Sequence, residues 1–389
     1  MTALPRTLLA SACALAIMAG QAFAFDTRAQ AAFVMDQTTG TVLLAKNADE
    51  ARPPASMSKL MTLYIAFEAV RDGRLRLDEE LRVSQHAMDY QGSTLFLKAG
   101  ERVKVEDLLR GIIVLSGNDA CVVVAEALSP DGTEQGFARL MTQRAQQLGM
   151  TSSTFRNSNG WPAAGHEMSM RDLVLLARRI IEDFPEFYPM FAQDEFLFDE
   201  KESQNRYNRN PLLGLGIGAD GLKTGHTQEA GYGLVGSAKQ GERRVIFAIT
   251  GLDSAKARAE ESESIVNWAF RQFAEQTIVT KDRAIASADV WLGAQDSVGL
   301  VAKQDVTLLL PLATPGGLKA EVVYTGPVEA PVTQGQQLAE LIISPDGLPE
   351  TRVPLVAEKA VEAGGFVDRV MTAGRHLLAR VQSQPEETM

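Results

Sequence analysis

The chain has 389 residues, 45% of them hydrophobic and 22% charged, with a formal net charge of −11. That length allows two hydrophobic cores. The acidic balance excludes nucleic acid as a partner, because binding phosphates needs a basic face.

Residues 1–24 read as a secretory signal peptide: Arg6 in a short n-region, an apolar core over 8–20, and the small-x-small sequence Ala22-Phe23-Ala24. The apolar core is too short to span a bilayer. Cleavage there removes Cys13 and leaves Cys121 as the sole cysteine, so the exported chain has no intrachain disulfide. No second long apolar run, internal repeat or low-complexity segment follows.

Two strand-like runs, 31–35 and 41–45, flank the turn Asp36-Gln37-Thr38-Thr39-Gly40. The stretch Pro53-Pro54-Ala55-Ser56-Met57-Ser58-Lys59 then enters a dense apolar run with no further Gly or Pro until Gly73. Such a run predicts a mostly buried helix. Ser56 falls at its start and Lys59 one turn later on the same face. A helix N-terminus favours a developing oxyanion, and burial lowers a lysine pKa, so a neutral Lys59 could take the Ser56 proton. A serine that merely caps a helix gives the same spacing, so the rest of the chain must decide.

After a mixed polar stretch to about Gly100, period-3.6 patterns predict helices over 105–115, 119–128, 133–148 and 169–181. Ser116-Gly117-Asn118 lies at the junction of the first two, in an apolar frame where polar groups need a purpose. The same pattern recurs at Ser203-Gln204-Asn205 in a polar loop; either copy could simply cap. The first is preferred for its buried frame. Strands follow over 221–227, 230–238 and 243–251, the last two joined as a hairpin, and a helix over 257–273 closes the unit. Strands, helices, then strands packed by a terminal helix describe an α/β domain with a helical insertion.

Lys223-Thr224-Gly225 sits on the first of these later strands. A cation and a hydroxyl can meet a substrate carboxylate there, and the glycine lets a substrate backbone run alongside. A lysine protecting a sheet edge is the structural alternative. His226 follows, but four histidines without a ligand-type spacing give no metal site, and no cofactor is expected. Beyond residue 273, short runs alternate with Gly, Pro and Asp turns, which predicts a small all-β sandwich without a catalytic constellation. Finally, residues 366–381 form a candidate amphipathic helix. Arg369, Arg375 and Arg380 against Asp368 give it a net charge of +2. This suits an anionic membrane surface, with docking on the β-domain as the alternative.

Ser-x-x-Lys, Ser-x-Asn and Lys-Thr-Gly, in that order, are the signature of penicillin-binding proteins and serine β-lactamases. The surrounding sequence is closer still. Pro54-Ala55-Ser56-Met57-Ser58-Lys59, Leu115-Ser116-Gly117-Asn118-Asp119-Ala120-Cys121, Gly221-Leu222-Lys223-Thr224-Gly225-His226-Thr227 and Lys256-Ala257-Arg258 resemble the low-molecular-mass D-alanyl-D-alanine carboxypeptidases of the penicillin-binding protein 5/6 type, peptidase family S11. The likeness runs from about Asp26 to the C-terminus.

This resemblance implies a β-lactamase/transpeptidase-like α/β catalytic domain over 25–275, a β-sandwich over 276–363 and an amphipathic anchor with its tail over 364–389. It implies removal of the terminal D-alanine from peptidoglycan stem pentapeptides through a Ser56 acyl-enzyme, with β-lactam antibiotics as covalent inhibitors. Lys59 would be the base for acylation, and Ser116 would pass the proton to the leaving amine. Asn118 would hold the substrate amide. Lys223 would polarise the Ser116 region and, with Thr224 and Arg258, help to bind the substrate carboxylate, while Gly225 would let the substrate backbone run alongside. The oxyanion hole would be the backbone N–H groups of Ser56 and His226. The implied location is the periplasmic face of the bacterial inner membrane, in peripheral contact with its surface.

One segment departs from the pattern. Where relatives often carry a histidine, this chain reads Asn157-Ser158-Asn159-Gly160-Trp161, and the nearby His166 reads as a surface residue, with a place at the cleft rim as the alternative. No Glu-x-x-Leu-Asn segment of the kind that activates a deacylating water lies between the second and third motifs. That favours a peptidase over a β-lactamase. A non-catalytic peptidoglycan-binding protein is the third reading, and it has no need of Ser56, Lys59, Ser116 and Lys223 together.

Overall fold

The computed structural model describes residues 25–198, 204–312, 318–345 and 350–365. The signal peptide expected over 1–24, the helix expected over 366–381 and Ser203 of the second Ser-x-Asn copy lie outside the described residues.

Strand β1 (Ala31–Asp36) is buried at every position and pairs antiparallel with β2 (Val42–Lys46). A turn of 3-10 helix, Ala55–Ser58, leads into α1 (Lys59–Arg71), whose apolar residues are buried on all sides. The mixed polar stretch to Gly100 contains strand β3 (Glu80–Arg82) and a single helical turn, α2 (Gln85–Met88), and β3 pairs with β4 (Arg102–Lys104) just beyond it. These elements are too short and polar to leave a periodic signal. The helical insertion comprises α3 (Val105–Arg110), α4 (Asn118–Leu128), α5 (Glu134–Gln147) and α6 (Met170–Asp183). Thr133 and Ser169 cap α5 and α6 by accepting hydrogen bonds from the Gly136 and Asp172 N–H groups. Three long strands, β5 (Ala219–Thr227), β6 (Gly231–Gln240) and β7 (Arg243–Leu252), and helix α7 (Ala255–Arg271) complete the unit.

The five long strands form one antiparallel sheet in the order β2-β1-β7-β6-β5. Alternating side chains go to opposite faces, and helices cover both. Phe33, Met35, Ile246 and Ala248 join the core made with α1 and the helical insertion. Val34, Val245, Phe247 and Ile249 join Ile265, Val266 and Ala269 of α7 on the other side. Covered faces explain why β1 and β7 read as nearly continuous apolar runs.

The continuous helix expected over 105–115 is corrected. After α3 the chain widens into a π-type turn, Gly111–Leu115, and leaves it at Ser116 with φ +63°. The run Ile112-Ile113-Val114 is β-branched and a poor α-helix former, and Gly111 leaves room for Leu95, whose side chain would lie 2.3 Å from an added Cβ. Wide turns of this kind often mark functional sites.

The C-terminal part is all β. Strand β8 (Phe273–Val279) begins where α7 ends and pairs with β11 (Val306–Pro311). A six-stranded sheet takes the order β12-β14-β15-β10-β9-β13. Its members are β9 (Ala284–Trp291), β10 (Ser297–Ala302), β12 (Leu318–Tyr324), β13 (Val328–Glu329), β14 (Gln337–Pro345) and β15 (Thr351–Ala357). Val279 and Val306 of the pair share one apolar core with Val290, Leu300, Leu341 and Leu355 of the sheet.

Candidate active site

The 3-10 turn sets the site. Residues three apart eclipse in such a turn, so the Lys59 side chain rises directly over Ser56. Lys59 Nζ lies 2.8 Å from Ser56 Oγ, 2.7 Å from Asn118 Oδ1 and 2.6 Å from the Asn159 carbonyl oxygen. Lys59 is wholly buried, and burial is what lowers its pKa to about 8. Ser56 is not the N-cap of a long α-helix as the sequence suggested. It lies within the short turn that precedes α1, because Pro54 stops anything regular before it.

Two packing constraints hold this turn. Gly225 of β5 abuts it: an added Cβ would lie 2.9 Å from the Pro54 carbonyl oxygen and 3.0 Å from Met57. The glycine of Lys-Thr-Gly therefore serves contact between β5 and the 3-10 turn, whatever it offers a substrate. Gly160, at φ +84°, packs from the other side, where a Cβ would lie 1.9 Å from the Ala55 carbonyl oxygen. Asn159 is fixed in turn by its neighbours. Asn157 Oδ1 accepts from the Gly160 N–H at 2.8 Å, and Glu134 Oε1 accepts from both the N–H and the Oγ of Ser158. Thr62 Oγ1 donates to the Ser158 carbonyl.

Ser116 and Asn118 border the same space. Ser116 is nearly sealed from solvent and holds a left-handed backbone that a serine adopts only at a cost of about 1 kcal/mol. Asn118 spends its Oδ1 on Lys59 and one amide hydrogen on the Gln91 carbonyl, at 2.6 Å, leaving the other amide hydrogen for a ligand. Asp119 accepts from the Leu95 and Leu97 N–H groups and so pins the 93–97 loop beside the cleft. Cys121 is buried, and burial pushes its thiol up to about 12, which makes it an inert core residue.

On β5, Lys223, Thr224 and Gly225 are buried, at the strand that ends the sheet. Burial, reinforced by the positive charges of Lys59 and Arg209, holds the Lys223 ammonium well below the ordinary lysine range. His226 is exposed, and its ring stacks on Tyr232 with centroids 3.8 Å apart. Arg258, at the start of α7, is 8% exposed and packs over Tyr232; its Nε has no partner among the described residues. No carboxylate pairs with Arg258 or Lys223 among the described residues, and burial lowers the pKa of both. A cleft floored by unpaired cations is prepared for an anion.

The structure thus brings Ser56, Lys59 and Asn118 into direct contact, with Ser116 adjacent and Lys223 and Arg258 in the same electrostatic field. Two participants escaped the sequence reading. The Asn159 carbonyl could not be foreseen, because a backbone oxygen has no residue-type signature. Arg209, which donates to Ser93 Oγ, sits alone in a polar loop with no spacing to mark it. His166 needs correcting: it is 3% exposed, not a surface residue, because the 157–167 loop folds back on the 3-10 turn. No group of three or more metal-ligating side chains occurs among the described residues.

Comparison with known proteins identifies the family and the fold. The family described as D-alanyl-D-alanine carboxypeptidase (Peptidase S11) matches residues 17–254, and the penicillin-binding protein 5 C-terminal domain matches residues 273–363. The D-alanyl-D-alanine carboxypeptidase DacC of Escherichia coli (strain K12) is 35% identical over 384 residues, 95% of each chain. Among solved structures, the D-alanyl-D-alanine carboxypeptidase DacD from Francisella tularensis superposes with a TM-score of 0.74 at 29% identity, covering 87% of this chain and 95% of that one. Penicillin-binding protein D2 from Listeria monocytogenes, in its ampicillin-bound form, gives a TM-score of 0.57 at 32% identity, covering 64% of this chain and 99% of that one.

Proposed function

The chain belongs to the peptidase S11 family of D-alanyl-D-alanine carboxypeptidases, and from that premise we propose how its own residues carry out the reaction. The observation that carries the assignment is the set of three contacts at Lys59 Nζ. A neutral amine has two N–H donors and one lone pair. The two hydrogens go to Asn118 Oδ1 and the Asn159 carbonyl, so the lone pair is left facing the Ser56 hydroxyl. Lys59 then removes the Ser56 proton as Oγ bonds to the carbonyl carbon of the penultimate D-alanine.

The resulting oxyanion is held by the backbone N–H groups of Ser56 and His226. The His226 ring, stacked on Tyr232, takes no part. Ser116 relays the proton to the departing D-alanine amine as the C–N bond breaks, and water then hydrolyses the Ser56 ester. Asn118 offers its free amide hydrogen to the substrate amide. Thr224, Lys223 and Arg258 receive the C-terminal carboxylate, with Arg209 adding to the field. The β-lactam ring opens on Ser56 by the same first step and leaves an adduct with no departing amine.

This reading is tested by D-alanine release from an acylated pentapeptide ending in D-Ala-D-Ala. D-alanine release from that peptide, with no release of D-alaninamide from its C-terminal amide, supports it. Equal release from both would remove the carboxylate role of Arg258 and its neighbours.

Further elements of the reading concern location. Residues 1–24 are proposed to export the chain, so that it works on the periplasmic side against peptidoglycan stem peptides. No helix among the described residues is long and apolar enough to cross a membrane. The basic amphipathic sequence over 366–381 is proposed as a peripheral anchor on the inner membrane. Truncation after Gly365 should leave activity intact and release the protein from membranes. A truncated form that still sediments with membranes would contradict the anchor.

A further inference from the structure

Glu134 is the first residue of α5, directly after the N-cap Thr133. A carboxylate in a first helical turn ordinarily faces solvent and complements the helix dipole. Here it is 3% exposed and turns inward, where four polar groups converge on it. Oε1 accepts from the Ser158 N–H at 3.0 Å and from Ser158 Oγ at 2.7 Å. Oε2 accepts from the Tyr90 hydroxyl at 2.8 Å and lies 2.9 Å from His86 Nε2. A buried carboxylate is costly to desolvate, and one satisfied this fully fixes the groups around it.

The two segments it joins are those that support Lys59. Ser158 precedes Asn159, whose carbonyl oxygen lies 2.6 Å from Lys59 Nζ. Tyr90 precedes Gln91, whose carbonyl accepts from Asn118 Nδ2 at 2.6 Å, and the Ser93 carbonyl accepts from the Asn118 N–H at 2.7 Å. Asn118 Oδ1, so held, is the second acceptor at Nζ, at 2.7 Å. These two acceptors belong to separate elements, the start of α4 and the 157–167 loop. The Tyr90 ring meets the Trp161 ring edge-on, with centroids 6.4 Å apart, so the two supporting segments also touch. One buried carboxylate thus stands one residue behind each of them.

We propose that Glu134 is a positioning residue for acylation: its carboxylate ties the 157–167 loop to the 90–93 segment at the spacing that keeps the Asn159 carbonyl and Asn118 Oδ1 on Lys59 Nζ. The inference rests on the peptidase reading, in which Lys59 must keep its lone pair on Ser56, and adds a residue that touches neither the substrate nor the base.

Acylation by benzylpenicillin over a range of concentrations, followed by intact mass, separates drug binding from the acylation rate constant. E134A should still reach one adduct per chain, with a rate constant about 10²-fold lower, the loss expected when reacting groups drift by about 1 Å. E134Q keeps an oxygen for Ser158 and can donate its amide to the Tyr90 hydroxyl oxygen, so it should stay within about tenfold of the wild type. The pH profile separates position from charge. Asp119, Arg209 and Cys121 act on Lys59 in every variant. Lost acceptors disfavour the ammonium, so the E134A midpoint should move to lower pH while E134Q keeps the wild-type midpoint. Equal shifts in both variants, or a wild-type rate constant in E134A, would overturn the proposal. Should E134A fail to fold, Y90F and S158A each remove a single hydroxyl donor, and each should slow acylation about threefold. Wild-type rate constants in both would overturn the proposal and leave the peptidase standing. No adduct on the wild type would overturn the peptidase reading itself.

Discussion

The catalytic domain and the C-terminal β-domain bury polar groups in opposite ways. Among the described residues, every buried polar or charged side chain lies before Phe273, including Lys59, Ser116, Asn118, Glu134, Lys223 and Arg258. The β-domain core, built around Leu300, Leu341, Ile343 and Leu355, has none. Burying polar groups opposes folding unless they are partnered, and burying unpaired cations opposes it more. The first domain tolerates that cost where its cleft does chemistry. The β-domain, among the described residues, meets no such cost in its core.

That contrast can be broken at its strongest point first. Lys59→Met removes the base while keeping the buried stem, and acylation by benzylpenicillin should fall by about 10³-fold, within the usual range for a general base. A stopped-flow or quenched time course measures it, and a fall of less than tenfold would mean that another group takes the Ser56 proton. Arg258→Met comes next. Charge-assisted hydrogen bonds are worth about 1.5–3 kcal/mol, so kcat/KM on a D-Ala-D-Ala peptide should drop about 10- to 100-fold. The ratio of acid to C-terminal amide peptides should collapse with it.

The pH profile gives a smaller effect. Burial lowers the Lys59 pKa to about 8, and the base works only when neutral. Acylation should therefore rise with pH through about 8, gaining about tenfold between pH 7 and pH 9. A profile that is flat over that range, or falls, would contradict a lysine base. The smallest effect on activity belongs to the other domain. Leu341→Ala should destabilise the β-domain by about 2–5 kcal/mol in a denaturant titration and leave the acylation rate of the folded protein unchanged. A parallel loss of acylation would show that the two regions are coupled.

The sequence was legible where chemistry depends on residue type at a fixed spacing. Ser56 and Lys59, Ser116 and Asn118, and Lys223 to Gly225 stand out because each set is close in sequence and lies in or beside an apolar run. The long strands were legible because both sheet faces are covered, so β1 and β7 read as nearly continuous apolar runs. What escaped depends on backbone and tertiary contact. The π-type turn before Ser116 needs Leu95 packed on Gly111, a contact sixteen residues apart that no local pattern encodes. The Asn159 carbonyl acts through its backbone, held by Asn157 and Glu134, so the histidine that the family pattern led one to seek there is not required for this contact. His166 read as exposed because its segment is short and polar, yet the loop buries it.

The central claim is that Ser56, activated by Lys59, is a nucleophile that forms a covalent acyl-enzyme. Intact mass of the purified protein over a time course with benzylpenicillin tests it most directly. The account predicts one persistent adduct, mapped to Ser56 and absent in Ser56→Ala. No adduct at any time, or an adduct that survives in Ser56→Ala, would contradict it.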